Sequence, residues 1–244
     1  MRRLLTTTFL LLVLLVAGCG GDDDETTADS ATATPTATAT PAETATETPT
    51  PEDTGGEQGT GCKPADKPAP KSAKLAKPSE KLDPAKTYVA TVKTNCGTFE
   101  ITLDAKQAPK TGGSFKYLAD KGFYDGLSFH RVVGGFVIQG GDPSGNGTGG
   151  PGYSIVEAPP DGIVYKKGTV AMAKTQLEDA GTSGSQFFVV TSDQASSALT
   201  PDYALVGQVT KGMSVVDLIG TAPVSSDEQP ISPIVMQSVK VSER

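Results

Sequence analysis

Tryptophan is absent, histidine occurs once, and there are only three cysteines. Each scarcity removes a class of chemistry. One histidine, His130, cannot build the His-rich sets that hold catalytic zinc. Cys19, Cys62 and Cys96 lack the C-x-x-C spacing of a metal knuckle or a dithiol redox site. No G-K-[S/T] follows a glycine loop, which excludes a P-loop, and no G-x-S-x-G elbow marks a serine hydrolase. The stretch 145–150, GNGTGG, matches G-x-G-x-x-G letter for letter, but Pro151-Gly152 follows where a dinucleotide site needs a helix. Neither a metal nor a cofactor is expected. A formal net charge of −7 argues against nucleic acid as a partner, because phosphate binding needs a basic face.

Large apolar residues are missing altogether from Gly20 to Gly61. Before that gap, Met1-Arg2-Arg3 is basic and Leu4 to Val16 is mostly apolar. The run is too short to span a bilayer comfortably and fits a secretory signal. Its end, Leu15-Val16-Ala17-Gly18-Cys19, resembles the lipobox of bacterial lipoproteins. That resemblance implies a signal peptide over 1–18 and a lipidated Cys19 that holds the chain at the outer side of the bacterial cell membrane. Two acyl chains give firm anchoring where one gives marginal binding. A plain secretory signal with an incidental cysteine is the alternative.

Residues 19–86 read as a disordered tether. An acidic start, Asp22-Asp23-Asp24-Glu25, leads into Thr/Ala/Pro repeats and then a Lys/Pro/Ala stretch from Cys62 to Lys86. Such composition buries too little to offset the entropy of ordering, and repeated proline keeps it extended. The lysines are solvated on this reading, or they touch anionic lipid or wall polymer.

The folded region spans 87–244. Tyr88–Val92 and Thr98–Leu103 alternate around a Thr-Asn-Cys-Gly break and predict a β-hairpin. Pro109 to Lys121 predicts a helix, with Pro in the first turn, Phe115, Leu118 and Ala119 on one face, and Gly122 past the end. Gly112-Gly113 weaken that helix by about 1 kcal/mol each relative to alanine. Further strands are predicted at 169–172, 186–191, 204–209 and 234–241, and a second helix at 213–219. Many short strands with two helices suggest a closed antiparallel barrel with helical caps.

The stretch 129–150, FHRVVGGFVIQGGDPSGNGTGG, carries the candidate chemistry. On one extended segment, Arg131 and Gln139 share a face if the Gly134-Gly135 kink preserves parity, and Phe136 must be re-aimed by it. A polar pair beside an aromatic floor suits a small apolar group joined to an amide. Together with AMAK at 171–174, GTSGSQFFVVTSD at 181–193 and ALVGQVTKGMSVVD at 204–217, this stretch is similar to the cyclophilin family of peptidyl-prolyl isomerases, over roughly Tyr88 to Arg244.

The resemblance implies an eight-stranded antiparallel barrel capped by two helices and a substrate class of proline-containing polypeptides. It implies Arg131 as the catalytic arginine and Gln139 as the holder of substrate backbone. Phe136, Val137, Phe188 and Leu199 become walls of a proline pocket, with His130 and Gln186 beside it. Ala173, Lys174 and Thr175 become the edge that meets substrate main chain. Lys174 stands where asparagine is usual, Tyr203 where histidine often is, and Ala198 near the usual place of a tryptophan. Cys62 and Cys96 are expected to pair. Cys96 falls in an exposed turn, and Cys62 is the other cysteine left once Cys19 is lipidated. Two free thiols are the alternative.

The reading as a whole is a monomeric, lipid-anchored isomerase of exported proteins. A binding module or holdase with incidental catalysis and a structural envelope lipoprotein are the rivals. A proline-peptide turnover assay separates them.

Overall fold

The computed structural model describes residues 61–72 and 74–244; the expected signal, Cys19 and the expected tether as far as residue 60 lie outside the described residues. The strands are β1 (Tyr88–Thr94), β2 (Gly97–Leu103), β3 (Leu127–Val133), β4 (Val137–Gly140), β5 (Ile155–Val156), β6 (Thr169–Met172), β7 (Thr182–Ser183), β8 (Phe187–Val190), β9 (Leu205–Lys211) and β10 (Val235–Glu243). The helices are α1 (Pro109–Asp120) and α2 (Met213–Gly220). Eight strands close into a barrel in the order β1-β10-β3-β4-β8-β6-β9-β2, all pairs antiparallel. β5 and β7 form a separate two-stranded ribbon that the sequence pattern did not predict.

Alternation decides the barrel interior. In β2, Phe99, Ile101 and Leu103 are buried while Glu100 and Thr102 between them are half-buried. At the centre, Phe115 of α1 and Phe187 of β8 meet Tyr124, tilted and edge-on, Phe187 also meets Phe129 of β3 edge-on, and the Phe115 and Phe187 centroids lie 5.5 Å apart. Such edge-to-face pairs contribute about 0.5–1.5 kcal/mol beyond burial. The first turn of α1 has no local side-chain cap. Glu157 substitutes from a distant loop, its two carboxylate oxygens accepting from the Lys110 and Thr111 N–H groups at 3.1 and 2.7 Å.

The expectation of disorder up to residue 86 does not hold for 61–86. This segment lies along the barrel as a strap. Its half-buried positions fall at Cys62, Ala65 and Pro68, then Leu75 and Pro78. A period near three is that of an extended polyproline-type chain, with one side inward and lysines outward. Backbone hydrogen bonds hold it, from Lys63 N–H to Asn95 O (2.9 Å), Lys71 N–H to Pro143 O (2.7 Å) and Leu75 N–H to Pro151 O (2.8 Å). Cys62 and Cys96 are joined by a disulfide, S–S 1.99 Å. Leu82 is 4 % exposed and donates its N–H to Pro109 O at 2.9 Å.

The two helix-weakening glycines of α1 are explained by the strap. A Cβ on Gly112 would sit 2.5 Å from Leu82 Cδ1, and one on Gly113 would sit 2.5 Å from Glu80 O. The helix gives up propensity so that the strap can approach. Composition pointed to disorder because it counts apolar side chains. This strap is held mainly by main-chain bonds and a cross-link.

Candidate active site

The 129–150 stretch is not one kinked strand. Gly134 and Gly135 form the turn of a hairpin, and Arg131 on β3 lies directly opposite Gln139 on β4. The two are cross-strand neighbours, so the parity along a single segment assumed from the sequence is not what joins them. The register slips between Phe129 and Arg131, which turns His130 away from the pattern of its neighbours.

A polar chain runs across the barrel wall. Arg131 Nη1 donates to Gln139 Oε1 at 3.3 Å, and Gln139 Nε2 donates to Gln186 Oε1 at 3.0 Å. Gln186 Nε2 then donates to the carbonyls of Gly147 and Gly149 at 3.0 and 2.9 Å. The glycine loop is thereby tied to the site through its carbonyls. Its amides are already engaged, with Ser144, Asn146 and Gly147 donating to the buried Asp142 carboxylate. These three amides are turned onto a carboxylate of the chain itself, unlike the outward-facing amides of a phosphate cradle.

Beside this chain sits an apolar cluster distinct from the barrel core. Val137, Tyr165, Ala171 and Phe188 are buried in it, with Phe136, Ala173, Leu199 and Tyr203 partly exposed around them. Phe188 and Tyr203 meet edge-on, centroids 5.3 Å apart. A groove of about 840 Å³ leads on from Gln139 and Gln186, bounded by Ala173, Lys174, Thr175 and the glycine loop. The strap also contributes to its wall through Ser72 and Lys74.

Most of the expected site residues are therefore brought together, and the side chains of Lys174, Thr175 and His130 have surroundings of their own. Lys174 pairs with Asp202 at 2.9 Å, donates to the Thr175 and Glu178 carbonyls, and lies 5.6 Å from the Tyr203 ring centroid. Its ammonium ties this loop together. Thr175 is occupied by Glu178, whose Oε2 accepts from its N–H at 2.6 Å and its hydroxyl at 2.9 Å. His130 is 8 % exposed and lines a small cavity under the strap, next to Lys67 and Pro68, instead of the groove. Burial and the neighbouring Arg131 charge hold its pKa below the usual value, against a raising influence from Asp142. The ring is neutral at pH 7 and is no source of protons for the groove.

Two residues outside the sequence-based set complete the geometry. Glu228, in the loop after α2, accepts from Arg131 Nε at 2.6 Å. Tyr165 is fully buried, and its hydroxyl both donates to Tyr203 O (2.6 Å) and accepts from Tyr203 N–H (3.0 Å). Burial raises its pKa to about 12, so it stays a phenol and keeps both bonds. Neither residue sits in a periodic pattern, and each partner lies at least 38 residues away in sequence. Tyr165→Phe strands both backbone groups of Tyr203. We expect a loss of about 1–3 kcal/mol in unfolding free energy, read by urea denaturation. A change below the precision of the fit would show that Tyr203 is not held this way.

Comparison with known proteins agrees with this geometry. The family model for cyclophilin type peptidyl-prolyl cis-trans isomerases matches residues 89–241. The chain is 44 % identical over 138 residues to a peptidyl-prolyl cis-trans isomerase of Helicobacter pylori, covering 55 % of this chain and 82 % of the relative. It is 40 % identical over 180 residues to peptidyl-prolyl cis-trans isomerase B of Streptomyces anulatus, covering 66 % of this chain and 99 % of the relative. Among solved structures, a cyclophilin type isomerase of Cryptosporidium parvum is similar with a TM-score of 0.59 at 29 % identity, covering 64 % of this chain and 98 % of its own. Barrel, hairpin-borne arginine and glutamine, and aromatic cluster thus coincide with a match over most of the folded region, and the chain belongs to the cyclophilin-type peptidyl-prolyl cis-trans isomerases, which catalyse X-Pro isomerisation without a cofactor.

Proposed function

We propose that the isomerase activity resides at Arg131 and the apolar cluster beside it, and that it serves proteins exported to the cell envelope. The observation that carries the first part is the chain Arg131–Gln139–Gln186 alongside Phe136, Val137 and Phe188. Amide resonance sets a barrier of about 18–20 kcal/mol to rotation about a peptide bond. When an X-Pro bond twists, the proline nitrogen loses its conjugation, becomes pyramidal and gains a lone pair. A guanidinium beside the ring donates to that lone pair, which the planar ground state does not offer. The interaction therefore favours the transition state over the substrate. The cluster receives the ring, and Gln139 with the Ala173–Thr175 edge steadies the flanking main chain.

The envelope setting rests on two supports. The N-terminal pattern ending at Cys19 is that of a lipoprotein signal. The Cys62–Cys96 disulfide suits an oxidising compartment. On this reading the mature chain begins at Cys19, is lipid-anchored and monomeric, and meets proline-containing segments of proteins that fold after export. Turnover of a proline tetrapeptide by the mature chain tests the activity, and a rate equal to the uncatalysed one would sink it. For the anchor, Cys19→Ser is expected to move the protein from the membrane fraction to the soluble one. Retention in the membrane fraction would assign anchoring to another element.

A further inference from the structure

Glu228 is the one non-glycine residue among the described residues with a left-handed backbone, φ 61°. An L side chain is disfavoured in that region, and glycine is the usual occupant. The loop around it leaves little choice of conformation. Val224 and Pro230 form an antiparallel bridge, Ser225 N–H donates to Gln229 O at 2.8 Å, and Glu228 N–H donates to Ser225 O at 3.1 Å. The turn needs a left-handed residue, and the chain places a glutamate there.

The side chain supplies a reason. Glu228 holds β3 at two successive residues. Its carbonyl accepts from Val132 N–H at 2.8 Å, and its Oε2 accepts from Arg131 Nε at 2.6 Å. Arg131 Nη1 is meanwhile bonded to Gln139. Two of the three guanidinium nitrogens are thus fixed from opposite sides, and Nη2 makes no hydrogen bond among the described residues. A planar fork held at two points has its third nitrogen aimed.

We infer that Glu228 is a positioning residue for the isomerisation. It accepts backbone strain to clamp Arg131 so that Nη2 faces the twisting amide. The inference rests on the assignment of Arg131 as the donor. It explains why a strained position carries a carboxylate where glycine would be at ease, a pattern typical of functional sites.

Stability and activity should move apart under substitution. Glu228→Gly relieves the backbone and removes the carboxylate. Its Tm should be equal to or above that of the parent, while kcat for a proline tetrapeptide falls about ten-fold or more with KM little changed, as expected when a reacting group is misaligned. Glu228→Gln keeps an acceptor for Nε and should lose only about three-fold, a partial rescue. Added to Arg131→Ala, Glu228→Gly should cost little further, since the clamp has nothing left to hold. If Arg131→Ala is inactive while Glu228→Gly turns over at the parental rate, the positioning role fails and the arginine assignment stands. A Glu228→Gly enzyme that loses activity together with its thermal stability would overturn the role as well. Full activity of Arg131→Ala would remove both readings at once.

Discussion

Arg131→Ala is expected to lower kcat/KM for a proline tetrapeptide by at least about 100-fold, the usual cost of removing one preorganised donor. Unaided X-Pro isomerisation takes roughly 10–100 s. An acceleration of about 10⁵-fold corresponds to about 7 kcal/mol, of which a charged donor supplies about 3–4. The rest falls to the apolar cluster and the polar chain that fix the substrate. The variant should therefore keep residual turnover.

The fold should survive the substitution. Arg131 has a side chain 36 % exposed, and its hydrogen bonds go to Glu228 and Gln139, both reached from flanking elements rather than from the core. Arg131→Lys is expected to rescue little. Lysine's three donors radiate from one nitrogen, so it cannot reach Glu228 and Gln139 from opposite sides and also place a donor where Nη2 stands. The decisive measurement is turnover of a variant with unchanged circular dichroism and Tm. Near-parental turnover in such a sample would show that the chemistry lies elsewhere.

What the sequence made legible is what local pattern encodes. β2 was readable because Phe99, Ile101 and Leu103 alternate with polar residues, and α1 because proline opens it and Gly122 closes it. The polar pair was found by residue type and by resemblance. The way it is assembled was not. A hairpin at Gly134-Gly135 and an extended run through a kink place the same letters in line, and only cross-strand pairing separates them. Glu228 and Tyr165 were invisible for a related reason. Their partners are distant in sequence, and neither lies on a periodic face. The strap was misread because its inward residues are alanine, proline and a few leucines between lysines, a pattern with a period of three that helix and strand templates do not contain.

The strap supplies the second large effect. Removing the disulfide with Cys62→Ser and Cys96→Ser is expected to lower the unfolding free energy by about 3–4 kcal/mol, from the loop-closure entropy of a cross-link spanning 34 residues. The cross-link is not alone at this corner. Asn95, 6 % exposed, donates from Nδ2 to Lys63 O at 2.7 Å and Pro233 O at 3.1 Å, and its Oδ1 accepts from Val235 N–H at 2.8 Å. When the tie at Cys62 is cut, the Lys63–Asn95 hydrogen bonds remain at the start of the strap, with a further backbone tie at Lys71. The far end stays pinned, because Leu82 remains buried over Gly112 and the chain runs directly into β1. Loss of the bridge should therefore free the first part of the strap in the folded state while the barrel persists. The groove wall at Ser72 and Lys74 should loosen with it. Urea denaturation should show a lower midpoint, and limited proteolysis of the serine variant should cut early at the strap lysines before the barrel is touched. An unchanged midpoint, with those lysines as resistant as in the parent, would mean that the hydrogen bonds alone hold the strap and that the disulfide contributes nothing to stability.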